Sequence, residues 1–342
     1  MNMYKWIDRM IFEEEKKALP ILSFPAVQLL FVTVKELIGS DNAQALGMRL
    51  LADQYDMPAA LSYMDLSVEA EAFGAHTVYA ADEIPTITGQ LISSAADVAA
   101  LRQPHVGDGR TGVCVNGVKK ALRLITDRPV FANCIGPFSL TGRLMNVNEV
   151  MVSCYEEPEL VHQVLRKATD FLLEYIRAYK EAGAHGIVLA EPLAGVLSPA
   201  LMQEFSTNYI REITDQLQDE KFIVIYHNCG NSVNRLVEQI LGTGCRVFHF
   251  GDAVNMHEML ELMPSNFLVM GNISPSRHFL RGTPESVRNK TQRLLMECAQ
   301  YPNFLISSGC DIPPLTDLEN VNTFFSTVQS FYYRRHLLDL IS

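Results

Sequence analysis

The sequence is poor in positive charge and has no long apolar segment. It carries 28 Lys and Arg residues against 39 Asp and Glu residues, which gives a formal net charge of −11. No cluster of basic residues offsets this balance, so we expect neither a nucleic-acid partner nor binding to an anionic membrane surface. The longest uncharged stretch, residues 18–34, is interrupted by Pro20 and Pro25 and is shorter than the roughly 20 residues that span a bilayer.

The sequence also predicts neither an export signal nor a disulfide framework. The first 17 residues carry acidic side chains where a secretory signal has an apolar core. Seven cysteines, an odd number, are spread thinly along the chain. We therefore expect a cytoplasmic protein in which most cysteines are small buried side chains.

The composition predicts a chain that is folded throughout. Hydrophobic residues make up 48% and charged residues 20% of the 342 positions, which excludes an intrinsically disordered protein. We find no Pro-rich or Gly-rich linker, low-complexity tract or internal repeat. The sequence thus predicts one domain over residues 1–342, with a helical lead-in over residues 1–17.

Eight short apolar runs alternate with amphipathic helical patterns. Uninterrupted apolar runs are typical of strands that are covered on both faces, and helices between them are typical of βα repeats. The count of eight favours a (β/α)8 TIM barrel over an open doubly wound sheet. The runs are residues 21–24, 60–64, 130–135, 186–190, 222–227, 246–250, 267–271 and 304–308. Three helices are predicted with defined ends, over residues 158–183, 199–218 and 284–300.

Polar side chains follow most of these runs, at the end of a barrel where active sites lie. They are Asp65, Glu191, His227, Cys229, Asp252, Asn272, Cys310 and Asp311. Two glycines, Gly230 and Gly309, lie beside the cysteines and would allow the backbone to turn tightly.

His227, Cys229 and Cys310 form the sharpest candidate site. Residues i and i+2 of an extended segment point the same way, so the imidazole of His227 and the thiol of Cys229 can converge on one point. Cys310 leaves the eighth run, which a barrel brings close to the fifth. One His and two Cys ligands with an open fourth position are typical of catalytic zinc. The alternative is that both cysteines are core residues and that His227 is merely hydrogen-bonded.

Several segments resemble the uroporphyrinogen decarboxylase superfamily, and within it the zinc-dependent corrinoid methyltransferase branch, which includes methylcobamide:coenzyme M methyltransferases. The similar segments are LSVEAEAFGA (66–75), IGPFSLTGRLM (135–145), EPLAGVLSP (191–199), YHNCGN (226–231), GNISP (271–275) and SGCDIPPLTDLEN (308–320). The resemblance extends from about residue 20 onward. It implies a (β/α)8 barrel with zinc held by His227, Cys229 and Cys310.

The resemblance also implies an activity. An enzyme of this branch moves a methyl group from a methylated corrinoid, such as methylcobalamin, to a small thiol that zinc keeps deprotonated. No D-x-H-x-x-G segment is present to anchor cobalamin, so a separate corrinoid protein is the implied partner. The identity of the thiol stays open, as does the oligomeric state, with a homodimer as one possibility.

The four remaining candidates have less certain roles. Glu191 and Asp252 are candidate catalytic residues, and either could be a fourth zinc ligand that substrate displaces, with Asp252 slightly favoured. Asp65 and Asn272 are candidate substrate contacts. Asp65 lies near the position of the decarboxylase family's central aspartate, and a buried structural role is equally compatible with the sequence.

Two other functions stay open. The first is uroporphyrinogen decarboxylase-like activity, although residues 10–48 contain no Arg with which to bind a substrate that bears eight carboxylates. The second is a zinc-bearing barrel that binds a corrinoid protein without catalysis. A G-x-G-x-x-G pattern at 107–112 lacks a preceding strand and is interpreted as a loop that opens a helix.

Overall fold

A curved parallel sheet forms the centre of the molecule. The computed structural model describes residues 1–339, and in them seven strands pair in parallel in the order β1, β4, β5, β6, β7, β8, β9. The strands are β1 (Ala60–Leu61), β2 (His76–Val78), β3 (Thr86–Thr88), β4 (Val130–Ile135), β5 (Gly186–Ala190), β6 (Ile223–Asn228), β7 (Val247–Phe250), β8 (Leu268–Ile273) and β9 (Phe304–Ser308), with β2 and β3 as a separate hairpin. Every residue of the seven parallel strands is buried, which explains the uninterrupted apolar runs.

Of the eight predicted strands, the first, over residues 21–24, is wrong, so the sheet of the described residues is not a fully closed barrel. Residues 21–24 form no strand, but they lie beside β9. The Leu19 amide donates to the Ile306 carbonyl at 3.0 Å, and the Ile21 amide donates to the side chain of Ser308 at 2.9 Å. Pro20 and Pro25 lack an N–H and interrupt the bonding pattern that a strand needs. The segment thus occupies an edge of the sheet without pairing as a strand.

Helices follow the strands and cover the sheet. They are α1 (Met3–Phe12), α2 (Ala26–Leu30), α3 (Val34–Ile38), α4 (Asp41–Gln54), α5 (Val68–Ala72), α6 (Ala95–Ala100), α7 (Thr111–Leu124), α8 (Pro137–Met145), α9 (Val147–Glu156), α10 (Pro158–Ala182), α11 (Pro199–Met202), α12 (Asn208–Leu217), α13 (Val237–Gly242), α14 (Met256–Leu262), α15 (Pro284–Cys298) and α16 (Leu318–Asp339). Short 3-10 segments lie at Pro192–Val196 and Val233–Leu236, and π-helical segments at Gln203–Thr207 and Pro275–Leu280. Within residues 1–339, no helix has both the length and the apolar character needed to cross a membrane.

The three predicted helices are confirmed. Helix α10 begins at Pro158 and ends before Gly183, whose φ of +102° provides the left-handed cap that favours glycine. The segment predicted over residues 199–218 consists of α11, a π-helical turn and α12. The third prediction corresponds to α15.

The N-terminal lead-in covers the amino ends of the strands. The Met3 amide donates to the Glu220 carbonyl, just before β6, and the Trp6 indole donates to the Pro58 carbonyl, just before β1. The Lys16 ammonium donates to the carbonyls of Met10 and Ile11 at the end of α1. This arrangement leaves the carboxyl ends of the strands as the open end. The predicted single domain over 1–342 stays a prediction, and its last three residues lie outside the described part.

Candidate metal centre

The carboxyl ends of β6 and β9 bring the three predicted metal ligands together. His227 lies within β6 and is buried, and Cys229 and Cys310, just after β6 and β9, are both half-buried. The side chains of Cys310 and His227 both interact with the sulfur of Cys229. Cys229 is therefore the residue through which the three side chains are linked.

The two thiols shift each other's pKa in opposite directions. The pKa of Cys229 is lowered, first because the Cys310 thiol donates a hydrogen bond to its sulfur and then because His227 also interacts with it. The same hydrogen bond, together with burial, raises the pKa of Cys310. Cys229 is therefore the more readily deprotonated thiol of the pair, and thiolate is the form of cysteine that binds metals.

A second histidine supports His227 from the side. Strands β6 and β7 place His227 and His249 opposite each other, and their Nδ1 atoms lie 2.8 Å apart. The Nε2 atom of His249 lies 2.8 Å from the hydroxyl of Ser307 on β9. All three residues are buried, so these contacts hold the His227 ring in one orientation.

Close packing explains two of the glycines around the cysteines. A Cβ atom at Gly251 would collide with the side chain of Cys229, and a Cβ atom at Gly309 would lie 2.6 Å from the backbone nitrogen of Asp252. Neither residue has the positive φ of a left-handed turn. The sequence predicts a tight turn at Gly309. In the structure, a glycine is needed there because the loops after β7 and β9 are in close contact.

The donor set fits zinc, although the described residues show no finished metal site. Two cysteine sulfurs and one imidazole nitrogen are ligands that zinc prefers. Within residues 1–339, however, no three His, Cys, Asp or Glu side chains have the arrangement of a metal site. The three residues are linked through Cys229, and zinc binding stays a prediction.

The Glu191 carboxyl is hydrogen-bonded to the start of helix α8 and not to the cysteines. It directly follows β5, is fully buried, and accepts hydrogen bonds from the amides of Phe138 at 3.1 Å and Ser139 at 2.6 Å, at the start of α8. Burial raises the pKa of Glu191 to about 7. The two amides nevertheless hold the Glu191 carboxyl at the start of α8, a structural role that sequence reasoning did not separate from catalysis.

Asp252 and Asn272 lie on neighbouring loops with opposite exposure. Asp252 is exposed at the rim, against Gly309 and therefore close to the backbone before Cys310. Asn272 is buried, and its amide donates to the carbonyls of Gly251 and Val254 at 2.7 Å each. Asn272 thus fixes the loop that carries Asp252.

Asp65 is paired with an arginine that sequence reasoning missed. One carboxylate oxygen accepts from the guanidinium of Arg110 and the other accepts from the hydroxyl of Ser67 at 2.6 Å. Arg110 also donates to Glu71 at 2.7 Å and lies over the ring of Tyr79. Both oxygens of Asp65 are therefore engaged inside the protein.

Arg110 and His249 had detectable signals in the sequence. Arg110 lies within the G-x-G-x-x-G segment, which opens α7 as predicted. His249 is a polar residue inside an otherwise apolar run, a pattern that indicates a buried hydrogen-bonding role.

Comparison with known proteins gives the family. A profile of the family described as uroporphyrinogen decarboxylase (URO-D) matches residues 32–331. The chain therefore belongs to the uroporphyrinogen decarboxylase family, and the resemblance seen in the motifs is confirmed.

Individual relatives include both branches of the family. A uroporphyrinogen decarboxylase of Pseudoalteromonas translucida is 25% identical over 293 residues, covering 83% of this chain and 81% of the relative. The methylcobamide:CoM methyltransferase MtbA of Methanosarcina acetivorans is 24% identical over 280 residues, covering 79% and 78%. Among solved structures, a methyltransferase from Methanosarcina mazei has a TM-score of 0.83 at 20% identity and covers 97% of this chain and 99% of its own. That likeness supports a TIM-like barrel fold.

Proposed function

We propose that this protein is a zinc-dependent methyltransferase that moves a methyl group from a methylated corrinoid to a small thiol. The observation that best supports this proposal is the interaction of the Cys229 sulfur with both Cys310 and His227 at the open end of the sheet. The methyltransferase relative from Methanosarcina acetivorans supports this proposal. A separate corrinoid protein, which carries methylcobalamin, is the proposed partner.

Cys229, Cys310 and His227 would hold the zinc ion. When bound, zinc would supply the Lewis acidity that keeps a substrate thiol deprotonated near pH 7. The two cysteines would limit the net positive charge at the site, so that the substrate sulfur stays nucleophilic. In the transfer, a sulfur–carbon bond forms while the cobalt–carbon bond breaks and leaves its electron pair on cobalt, and the thiol proton goes to solvent.

The chain's own residues position the reaction. His249 and Ser307 orient His227 from the buried side, and Asn272 fixes the loop of Asp252. Of the two carboxylates, Asp252 is the better candidate for the remaining ligand position, because it is exposed at the rim. Glu191 accepts two backbone hydrogen bonds from α8 that it would have to give up.

A decarboxylase activity is the second candidate, because several relatives are uroporphyrinogen decarboxylases. The surroundings of Asp65 argue against it. An aspartate that binds a substrate needs accessible carboxylate oxygens, whereas both oxygens of Asp65 are bonded, one to Arg110 and the other to Ser67. Arginines that would bind carboxylates are also absent from residues 10–48.

The test combines metal analysis with turnover. We expect about one zinc per chain in the purified protein and thiol-dependent demethylation of methylcobalamin, followed by its change in absorbance across a panel of small thiols. The double variant Cys229→Ser, Cys310→Ser should lose both, whereas Cys154→Ser, a buried cysteine on α9, is the matched control.

Each alternative has its own result. Conversion of uroporphyrinogen to coproporphyrinogen would overturn the methyltransferase proposal. Zinc without turnover of any thiol, in the presence of a corrinoid protein, would favour the non-catalytic binding barrel. Zinc retained by the double variant would show that the ligands lie elsewhere.

A further inference from the structure

The buried side of the candidate metal centre contains a line of three polar side chains that no comparison assigns. His227, His249 and Ser307 lie on β6, β7 and β9 and are all buried, with 1%, 1% and 0% of their surface exposed. Two contacts of 2.8 Å join them, the first between the two Nδ1 atoms and the second between His249 Nε2 and the Ser307 hydroxyl. Polar groups in a dry sheet interior are costly unless they satisfy one another.

The contacts restrict where the ring protons can lie. Two facing Nδ1 atoms can bond only if one carries a proton and the other presents a lone pair. The Ser307 hydroxyl can accept from His249 Nε2, and a neutral His249 ring that donates its single proton there has its Nδ1 as an acceptor. Only this arrangement leaves a lone pair on Nε2 of His227, because Nδ1 of His227 is occupied by His249.

We infer that His249 and Ser307 are positioning residues that fix the tautomer of His227. With His249 Nδ1 as an acceptor, His227 must carry its proton on Nδ1 and keep the lone pair of Nε2 free on the other side of its ring. Nε2 is then the ring nitrogen that a metal would use. This inference rests on the proposed metal site for its purpose, whereas the tautomer itself is a property of the metal-free chain.

The alternative tautomer would disable the site. If His227 carried its proton on Nε2, that nitrogen would have no lone pair for a metal, and the pair would need a proton on His249 Nδ1 instead. The Ser307 hydroxyl would then have to donate to Nε2 of His249. The two orders of donors along the three residues are therefore distinct states, and only the first leaves His227 able to bind a metal.

The first test uses the unsubstituted protein. Long-range proton–nitrogen spectra of chelator-treated protein, labelled with 15N-histidine, distinguish protonated from unprotonated ring nitrogens. We expect His227 to show a protonated Nδ1 and an unprotonated Nε2, and His249 to show the reverse. Signals are assigned by their loss in His227→Gln and His249→Phe. A His227 ring protonated on Nε2 would overturn the inference.

The second test measures metal affinity by titration with Co2+, whose visible absorption reports its ligands. His249→Phe keeps a ring but removes both nitrogens, and we expect it to weaken binding by about 10–100-fold, as loss of a partner of a ligating histidine does. His249→Asn places an amide oxygen near the former Nδ1 position and should recover much of the loss. The same exchange at His257 on α14, His257→Phe, is the control.

The outcomes separate the two proposals. Unchanged affinity in His249→Phe would overturn the positioning role even if zinc is confirmed. Failure of the unsubstituted protein to bind Co2+ or zinc would refute the proposed function, while the nitrogen spectra would still decide the tautomer. If His249→Phe does not fold, the spectra of the unsubstituted protein and the His249→Asn titration decide the matter.

Discussion

Removal of the Arg110 guanidinium should destabilise the fold strongly, and the effect should depend on Asp65. Side-chain exposure is only 10% for Arg110 and 4% for Asp65, so the substitution Arg110→Met leaves a carboxylate buried without its charged partner. Breaking a pair of this kind costs about 3–5 kcal/mol. Asp65→Asn keeps an acceptor for the Ser67 hydroxyl and leaves Arg110 bonded to Glu71, so its cost should be smaller, about 1–3 kcal/mol.

The double variant Arg110→Met, Asp65→Asn isolates the coupling. Chemical denaturation followed by circular dichroism gives the free energy of unfolding of the four proteins. We expect the double variant to be more stable than the sum of the single effects by about 1–3 kcal/mol. Additive effects would refute the reasoning. Methyl transfer by folded Asp65→Asn should be unchanged, because the structure gives Asp65 a structural partner rather than a substrate.

Three further outcomes follow from buried carboxyls and close packing. Burial raises the pKa of Glu69 from 4.5 to about 8, so ionisation of Glu69 opposes folding as the pH rises. The stability of Glu69→Gln relative to the unsubstituted protein should therefore increase by up to about 3 kcal/mol between pH 5 and pH 8. A pH-independent difference in thermal melts would contradict this. Gly309→Ala should lower melting temperature and cobalt affinity together, since its Cβ would press on Asp252, whereas Gly39→Ala, whose nearest contact would be 3.3 Å, should change neither. Glu191→Gln should reduce stability, because both Glu191 oxygens accept N–H groups of α8 and the NH2 group of Gln would face one of them. Asp252→Asn should leave the melt unchanged and weaken metal binding, and the reverse pattern would exclude Asp252 as a ligand.

Much of the fold could be predicted because buried strands consist of consecutive apolar residues, which are visible in the sequence. The ranges predicted for β4, β5 and β9 coincide with the observed strands, since each strand is covered on both faces and consists of consecutive apolar residues. The first apolar run shows the same pattern but is flanked by Pro20 and Pro25 and forms no strand. Apolar character reports burial, and the hydrogen-bonding capacity of the backbone decides whether a buried segment becomes a strand.

The candidate site was predictable to the extent that its residues lie at strand ends. Parallel strands present their carboxyl ends on one side, so the order of the runs alone brought Cys229 and Cys310 together. Side-chain direction was not predictable in the same way. Glu191 directly follows β5, just as Cys229 directly follows β6, yet the Glu191 carboxyl turns to the amides of α8, because those unpaired N–H groups attract it.

The least predictable feature changes the interpretation of the family resemblance most. The resemblance places Asp65 near the position of the decarboxylase family's central aspartate, but in this chain Asp65 pairs with Arg110, which is 45 residues away across the hairpin and α6. No local pattern links the two residues, since their contact depends on how the long connection folds back over β1. A charge-paired aspartate cannot offer its oxygens to a substrate without breaking a buried ion pair. Asp65 therefore has a structural role in this chain, and the proposed chemistry rests on the cysteines and His227.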